Sequence, residues 1–158
     1  MSKGANKRIR ILLVEGDWLL RRTIRVLLNH EPDMEVAGTA KDGAVALEKI
    51  STVHPDLVLT DMAMPHMGGL ELTYLLRRRF PNIGIVVLGI YNEPEITELC
   101  GLCGADVMMY KALLTTELPT VIRMVFAARR QTEEGEGRAV PSPESEELRE
   151  EITYSSSQ

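Results

Sequence analysis

Short, continuous apolar runs alternate with stretches of helical periodicity along most of the chain. The runs are RIRILLV (Arg8–Val14), MEVAGTA (Met34–Ala40), LVLTD (Leu57–Asp61), GIVVLGI (Gly84–Ile90) and DVMMY (Asp106–Tyr110). Runs rich in Val, Ile and Leu, without strict alternation, predict strands covered on both faces. Between them, apolar residues recur at helical spacing: Leu20, Ile24, Leu27 and Leu28; Ala46, Leu47, Ile50 and Val53; Leu72, Leu75 and Leu76. Two further stripes are Ile96, Leu99, Cys100 and Cys103, then Leu118, Ile122 and Val125. These predict five helices whose inner faces are those residues. Asp17 and Asp42 stand where N-caps are needed, and Asn92 with Glu95 forms a capping-box pattern. Gly104 ends the fourth helix, and Arg77, Arg78 and Arg79 complement the dipole at the end of the third. Thr115 or Thr116 is expected to start the last helix, with Pro119 near its first turn, where a missing N–H costs little.

Five strands alternating with five helices imply a parallel sheet with helices on both faces. The expected fold is α/β, a flavodoxin-like (βα)5 three-layer sandwich whose five-stranded sheet has the order 2-1-3-4-5. Residues 8–131 are expected to form this domain, after a flexible N-terminus, 1–7. Residues 132–158 change character: they are polar and rich in Ser, Pro and Gly, and hold eight Glu against Arg138 and Arg149. An acidic disordered tail is expected there, with a weak helix at Glu144–Ile152, because too little apolar surface offsets the ordering entropy.

The formal charge of −5 belongs to that tail, which carries −6, so residues 1–131 are near neutral at +1. Such a balance argues against direct nucleic-acid binding. No apolar run approaches the roughly 20 residues that span a bilayer. Ile11–Val14 is too short for a signal-peptide core, so no membrane role and a cytoplasmic location are expected. Two cysteines close in sequence make no disulfide framework. In a helix-ending C-x-x-C, Cys100 and Cys103 read as small buried hydrophobes.

In the expected strand order the first and third strands are neighbours. Glu15 after the first, Asp61 at the end of the third, Gly89 in the fourth and Lys111 after the fifth then share the carboxyl edge of the sheet, where open α/β folds keep their ligand crevices. Two carboxylates and an ammonium there could hold Mg²⁺ and an anionic group. A lysine beside an acceptor suits phosphoryl transfer, where catalysis is positioning and electrostatics.

These residues stand in a larger pattern. ILLVE (Ile11–Glu15), PDLVLTDMAMP (Pro55–Pro65), MGGLEL (Met67–Leu72), Gly104-Ala105-Asp106 and Lys111 resemble the receiver domain of two-component response regulators, across about residues 8–130. The style of the first two strands is similar to receivers that precede helix-turn-helix output domains. The resemblance implies a phosphorelay module, not an enzyme in the ordinary sense, although receivers catalyse their own phosphorylation and dephosphorylation. It implies that Asp61 accepts a phosphoryl group from a sensor histidine kinase. Mg²⁺ would be held by Glu15, Asp61 and the backbone carbonyl of Ala63, and Lys111 would pair with the acceptor and its phosphate.

Four positions depart from the pattern. The second acid of the metal pair is Gly16. Asp17 follows one residue late and reads first as an N-cap, with a displaced metal ligand as the second reading. The hydroxyl position of the switch is Gly89, followed by Ile90, and its aromatic partner is Met108. The Asp of the MDG signature is Gly68. Losing a carboxylate weakens the Mg²⁺ site, and losing the hydroxyl removes a contact that only the phosphorylated state makes, so the expectation is an atypical receiver. The alternative is a phosphorylation-independent pseudo-receiver, a protein-interaction module that forms a homodimer or holds an output protein through the fourth and fifth helices. A flavin protein is a weaker reading, because EGDW offers too few donors for a phosphate loop. His66, Arg21, Arg22, Arg25 and Arg77 to Arg79 read as solvated.

Overall fold

The computed structural model describes residues 7–136. Five parallel strands, β1 (Ile9–Val14), β2 (Met34–Ala40), β3 (Leu57–Asp61), β4 (Gly84–Gly89) and β5 (Val107–Tyr110), form one sheet in the order β2-β1-β3-β4-β5. The helices are α1 (Trp18–Asn29), α2 (Gly43–Val53), α3 (Gly69–Arg79), α4 (Pro94–Cys103) and α5 (Leu114–Glu136), the last entered through a 3-10 turn at Lys111–Leu113. Both faces of the sheet are buried, as the continuous apolar runs require. On one side Ile11, Leu13, Leu57 and Leu59 pack with Ile24 and Leu28 of α1 and Leu118 and Ile122 of α5. On the other, Leu12, Val14, Val58 and Val87 pack with Ala46, Ile50, Leu72, Leu76 and Cys100.

The edge strand β2 carries one irregularity. Ile11 pairs with Val36 but Leu12 pairs with Gly38, so Ala37 has no partner in the ladder. The extra residue shifts the rest of β2 by one place, which turns Ala40 toward the α2 face.

Two helix starts follow the predicted chemistry. Asp17 caps α1 by accepting from the N–H groups of Leu19 and Leu20, at 2.8 and 2.9 Å. Asp42 caps α2 through Val45 N at 2.9 Å. Gly104 closes α4 in the left-handed region at φ 104°.

Several expectations are corrected. The N-cap of α4 is Glu93, without a side-chain bond, and Pro94 opens the helix; Asn92 instead accepts from the Tyr110 hydroxyl. Leu99 is exposed, and Cys100 is the one fully buried residue of α4. In α3 the buried face is Leu72, Thr73 and Leu76, with Leu75 at its margin. Thr73 is accepted there because its hydroxyl donates to Gly69 O at 2.6 Å. Helix α5 begins earlier than either threonine, which puts Pro119 inside it and leaves the Thr115 carbonyl without its usual donor. It also runs to Glu136, past the expected boundary at 131. The expectations for residues 1–6 and 137–158 lie outside the described residues.

Arg77 is no solvated residue. Its guanidinium donates to the carbonyls of Gly104, Pro81 and Ile83 at 2.7–2.9 Å and to Asp106 at 3.0 Å. Asp106 also accepts from Ile85 N at 2.8 Å and from Arg129 Nε at 2.8 Å. One carboxylate at the start of β5 thus ties α3 and α5, from opposite faces of the sheet, to β4. Burial lowers the pKa of Arg77, and the charge of Asp106 works against that shift.

Candidate functional site

The carboxyl edge of the sheet brings Glu15, Asp61 and Lys111 together. Strand β1 ends at Val14, so Glu15 leaves the sheet beside the end of β3, where Val14 pairs with Thr60. Glu15 is 1 % exposed and Asp61 6 %. Lys111 Nζ reaches in from the far end of β5 and lies 3.1 Å from Asp61 Oδ1 and 3.2 Å from Glu15 Oε2. One ammonium therefore bridges two buried carboxylates. Burial works against its charge; pairing with Asp61, and then the charge of Glu15, outweigh burial and raise the Lys111 pKa.

Backbone groups hold each carboxylate. Asp17 N donates to Glu15 Oε1 at 3.0 Å, and Ala63 N approaches Asp61 Oδ1 at 3.4 Å. Arg21, expected to be solvated, donates to the carbonyl of Glu15 at 2.6 Å. Asp61 is fixed from behind as well. Thr60 Oγ1 donates to its carbonyl at 2.9 Å, and α3 begins so close that a Cβ on Gly69 would lie 2.1 Å from that oxygen. Met62 N donates to Leu88 O and Gly69 N to Met62 O, both at 2.9 Å, which seats the loop after Asp61 on β4. These supports use ordinary residues, and nothing in their spacing marks them in the sequence.

The positions that depart from the receiver pattern have their own geometry. A Cβ on Gly16 would have room, with Lys41 O at 3.4 Å, Pro65 Cδ at 3.9 Å and Met64 Cγ at 4.0 Å. A Cβ on Gly89 would not: Met108 Cε would be 2.3 Å away and Met62 Cε 3.1 Å away. Asp17, as an N-cap, commits Oδ1 to two N–H groups.

Glu15 Oε2 tests whether a hard cation suits the edge. It is buried, and the one group facing it is the Lys111 ammonium at 3.2 Å. A buried carboxylate oxygen beside a second carboxylate is a donor set for an oxygen-seeking cation. Among the described residues no group of three His, Cys, Asp or Glu gathers in one place. The edge thus offers two carboxylates, a lean set.

The family model for the response regulator receiver domain matches residues 11–123, most of the described chain. The chain belongs to that family. It is a receiver domain of two-component response regulators. It is 35 % identical over 122 residues to response regulator GacA of Pseudomonas viridiflava, which covers 77 % of this chain and 57 % of GacA. It thus spans little more than half of that relative. Among solved structures, a LuxR-family response regulator from Aurantimonas sp. SI85-9A1 aligns with a TM-score of 0.73 at 25 % identity, over 93 % of this chain and 99 % of that one. The response regulator domain of Thermotoga maritima CheB aligns with a TM-score of 0.69 at 26 % identity, over 78 % and 98 %. Receiver domains generally bind Mg²⁺ at their phosphorylation site and interact with sensor kinases and output domains. They are generally not enzymes; methylesterase relatives carry that activity in a separate domain. No helix among the described residues of this receiver is long and apolar enough to cross a membrane.

Proposed function

We propose that this receiver accepts a phosphoryl group on Asp61 from the phosphohistidine of a sensor histidine kinase. The observation that carries the reading is the single ammonium of Lys111 set between Asp61 and Glu15. In the transfer a carboxylate oxygen of Asp61 forms the new O–P bond while the N–P bond to the donor imidazole breaks, and the imidazole leaves with the electron pair. The phosphoryl oxygens bring negative charge into an edge that already holds two carboxylates. Lys111 is placed to neutralise part of that charge without moving far. Glu15, Asp61 and the Ala63 carbonyl are the residues that would hold Mg²⁺, which when bound screens the phosphoryl oxygens. With glycine at position 16, that site lacks one carboxylate and should bind Mg²⁺ weakly.

The test is direct. Incubation with Mg²⁺ and acetyl phosphate should add the mass of one phosphoryl group, and Asp61→Asn should abolish the gain. No gain at any Mg²⁺ concentration refutes the reading.

A second reading is favoured by a separate observation. Ile90, Tyr91, Leu99 and Leu102 are exposed along the β4–α4 loop and α4, Leu102 at 78 %. They form an apolar face suited to a second copy or an output protein. In that reading the domain is a pseudo-receiver whose binding ignores phosphorylation, and its oligomeric state stays the same in Asp61→Asn. We further propose that the domain proper includes α5 through Glu136 and that the cell compartment is the cytoplasm, where a kinase donor would be met.

A further inference from the structure

The methionine in β5 and the glycine in β4 are one steric unit. Met108 pairs with Val87 and Tyr110 with Gly89, so Met108 and Gly89 are diagonal neighbours on the same face of the sheet. A Cβ on Gly89 would fall 2.3 Å from Met108 Cε, the free end of a flexible side chain. The methyl of Met108 therefore fills the volume that a side chain at 89 would need, and the two cannot share it.

The same thioether reaches α4. Thr97 Oγ1 lies 3.4 Å from Met108 Sδ and 3.4 Å from Glu93 O, so its one proton has two acceptors in reach. Two residues further along β5, the Tyr110 hydroxyl donates to Asn92. The loop before α4 and the first turn of α4 are thus each tied to β5 by a side chain, and neither tie involves Asp61. Cys100 adds the one fully buried anchor of the helix.

We propose that Met108, seated in the space left by Gly89 and held to Thr97, pins α4 to β5, so that the exposed face of α4 keeps one arrangement whether or not Asp61 is phosphorylated. This deepens the phosphoacceptor reading: it concerns what that phosphorylation reaches. A ligand shifts only an equilibrium between states that it contacts differently. With no side chain at 89 and a plug over the gap, a phosphoryl group has no hydroxyl there to pull.

Hydrogen exchange followed by mass spectrometry tests this on the full chain. Peptides covering 94–103 should exchange at the same rate with and without acetyl phosphate and Mg²⁺, while the intact mass reports the phosphorylated fraction. Met108→Ala should speed exchange in α4 by about tenfold through easier local opening. Gly89→Ala should do the same by evicting the Met108 methyl. The double variant should add nothing to either single one, because both remove the same contact. A wild-type α4 whose exchange follows the phosphorylated fraction overturns the proposal, as does a Met108→Ala protein with unchanged exchange, or single effects that add. The two readings fail separately. Absence of a mass gain removes the phosphoacceptor reading, and the variant comparison still decides the pin in the unphosphorylated protein.

Discussion

Replacing Lys111 by Met leaves two buried carboxylates facing one another without a cation. The contacts of 3.1 and 3.2 Å are each worth about 5 kcal/mol of Coulomb attraction at an effective dielectric of about 20. Most of that is offset by the cost of desolvating the ammonium, a cost the variant no longer carries. The carboxylates stay desolvated, however, and removing one partner of a buried pair costs about 3–5 kcal/mol in measured cases. The Lys111 side chain is 20 % exposed, so water can enter the gap, and about 3 kcal/mol is the expected loss at pH 7. Urea unfolding followed by circular dichroism measures it; Trp18 is a poor probe, since it is largely exposed. The pH dependence has a defined sign. The Lys111 pKa is raised above 10.5 in the folded protein, so its contribution is fully present below the unfolded value and fades as pH rises through the folded one. Added Mg²⁺ should restore stability to the variant more than to the wild type. A Lys111→Met protein within about 0.5 kcal/mol of wild type at pH 7 would show that the bridge is incidental.

Three further outcomes are expected. Gly16→Asp should tighten Mg²⁺ binding by about tenfold or more, since a Cβ at 16 would have room and about 1.4 kcal/mol suffices; calorimetric titration showing unchanged affinity would refute the lean-site argument. Gly69→Ala should cost about 3 kcal/mol or more and displace Asp61, because its Cβ would meet backbone that cannot swing aside; a wild-type urea midpoint would contradict the close approach. Asp33 is held below its usual 3.8, chiefly by its hydrogen bond from Arg123, so its contribution is present above that value and lost as pH falls through the folded one. Asp33→Asn should therefore lose less than about 1 kcal/mol at neutral pH, for an exposed pair, and match the wild type in strong acid.

The architecture was legible because burial and spacing agreed. Leu57-Val58-Leu59 ends on Asp61, and both faces of that strand are in fact buried. The acidic N-caps at Asp17 and Asp42 were readable for the same reason, since the chemistry is local. Two of the misses needed a partner distant in sequence. Arg77 looked solvated until Asp106, Gly104 and Ile83 were placed around it. Asn92 matched a capping box, but Tyr110, eighteen residues on, takes its side-chain oxygen. At the edge site Glu15, Asp61 and Lys111 could be gathered from strand order alone. That Gly89 is filled by Met108 could not, because the sequence shows a missing hydroxyl and gives no sign of what occupies its volume.

The unpaired residue in β2 makes chain length a constrained quantity at the edge of the sheet. Ala37 has no ladder partner, so neither its identity nor its presence is held by pairing. Deleting it would leave Gly38, Thr39 and Ala40 opposite Leu12, Leu13 and Val14 in an unbroken ladder, whereas one residue more would slide those three by one position and exchange the faces they occupy. The shift would not stop at the strand. Lys41, whose carbonyl adjoins Gly16, and Asp42, which caps α2, hang from the end of that count. The spacing of a strand two places removed from Asp61 therefore reaches the rim of the edge that holds it, and an insertion beside Ala37 would be more telling than its loss.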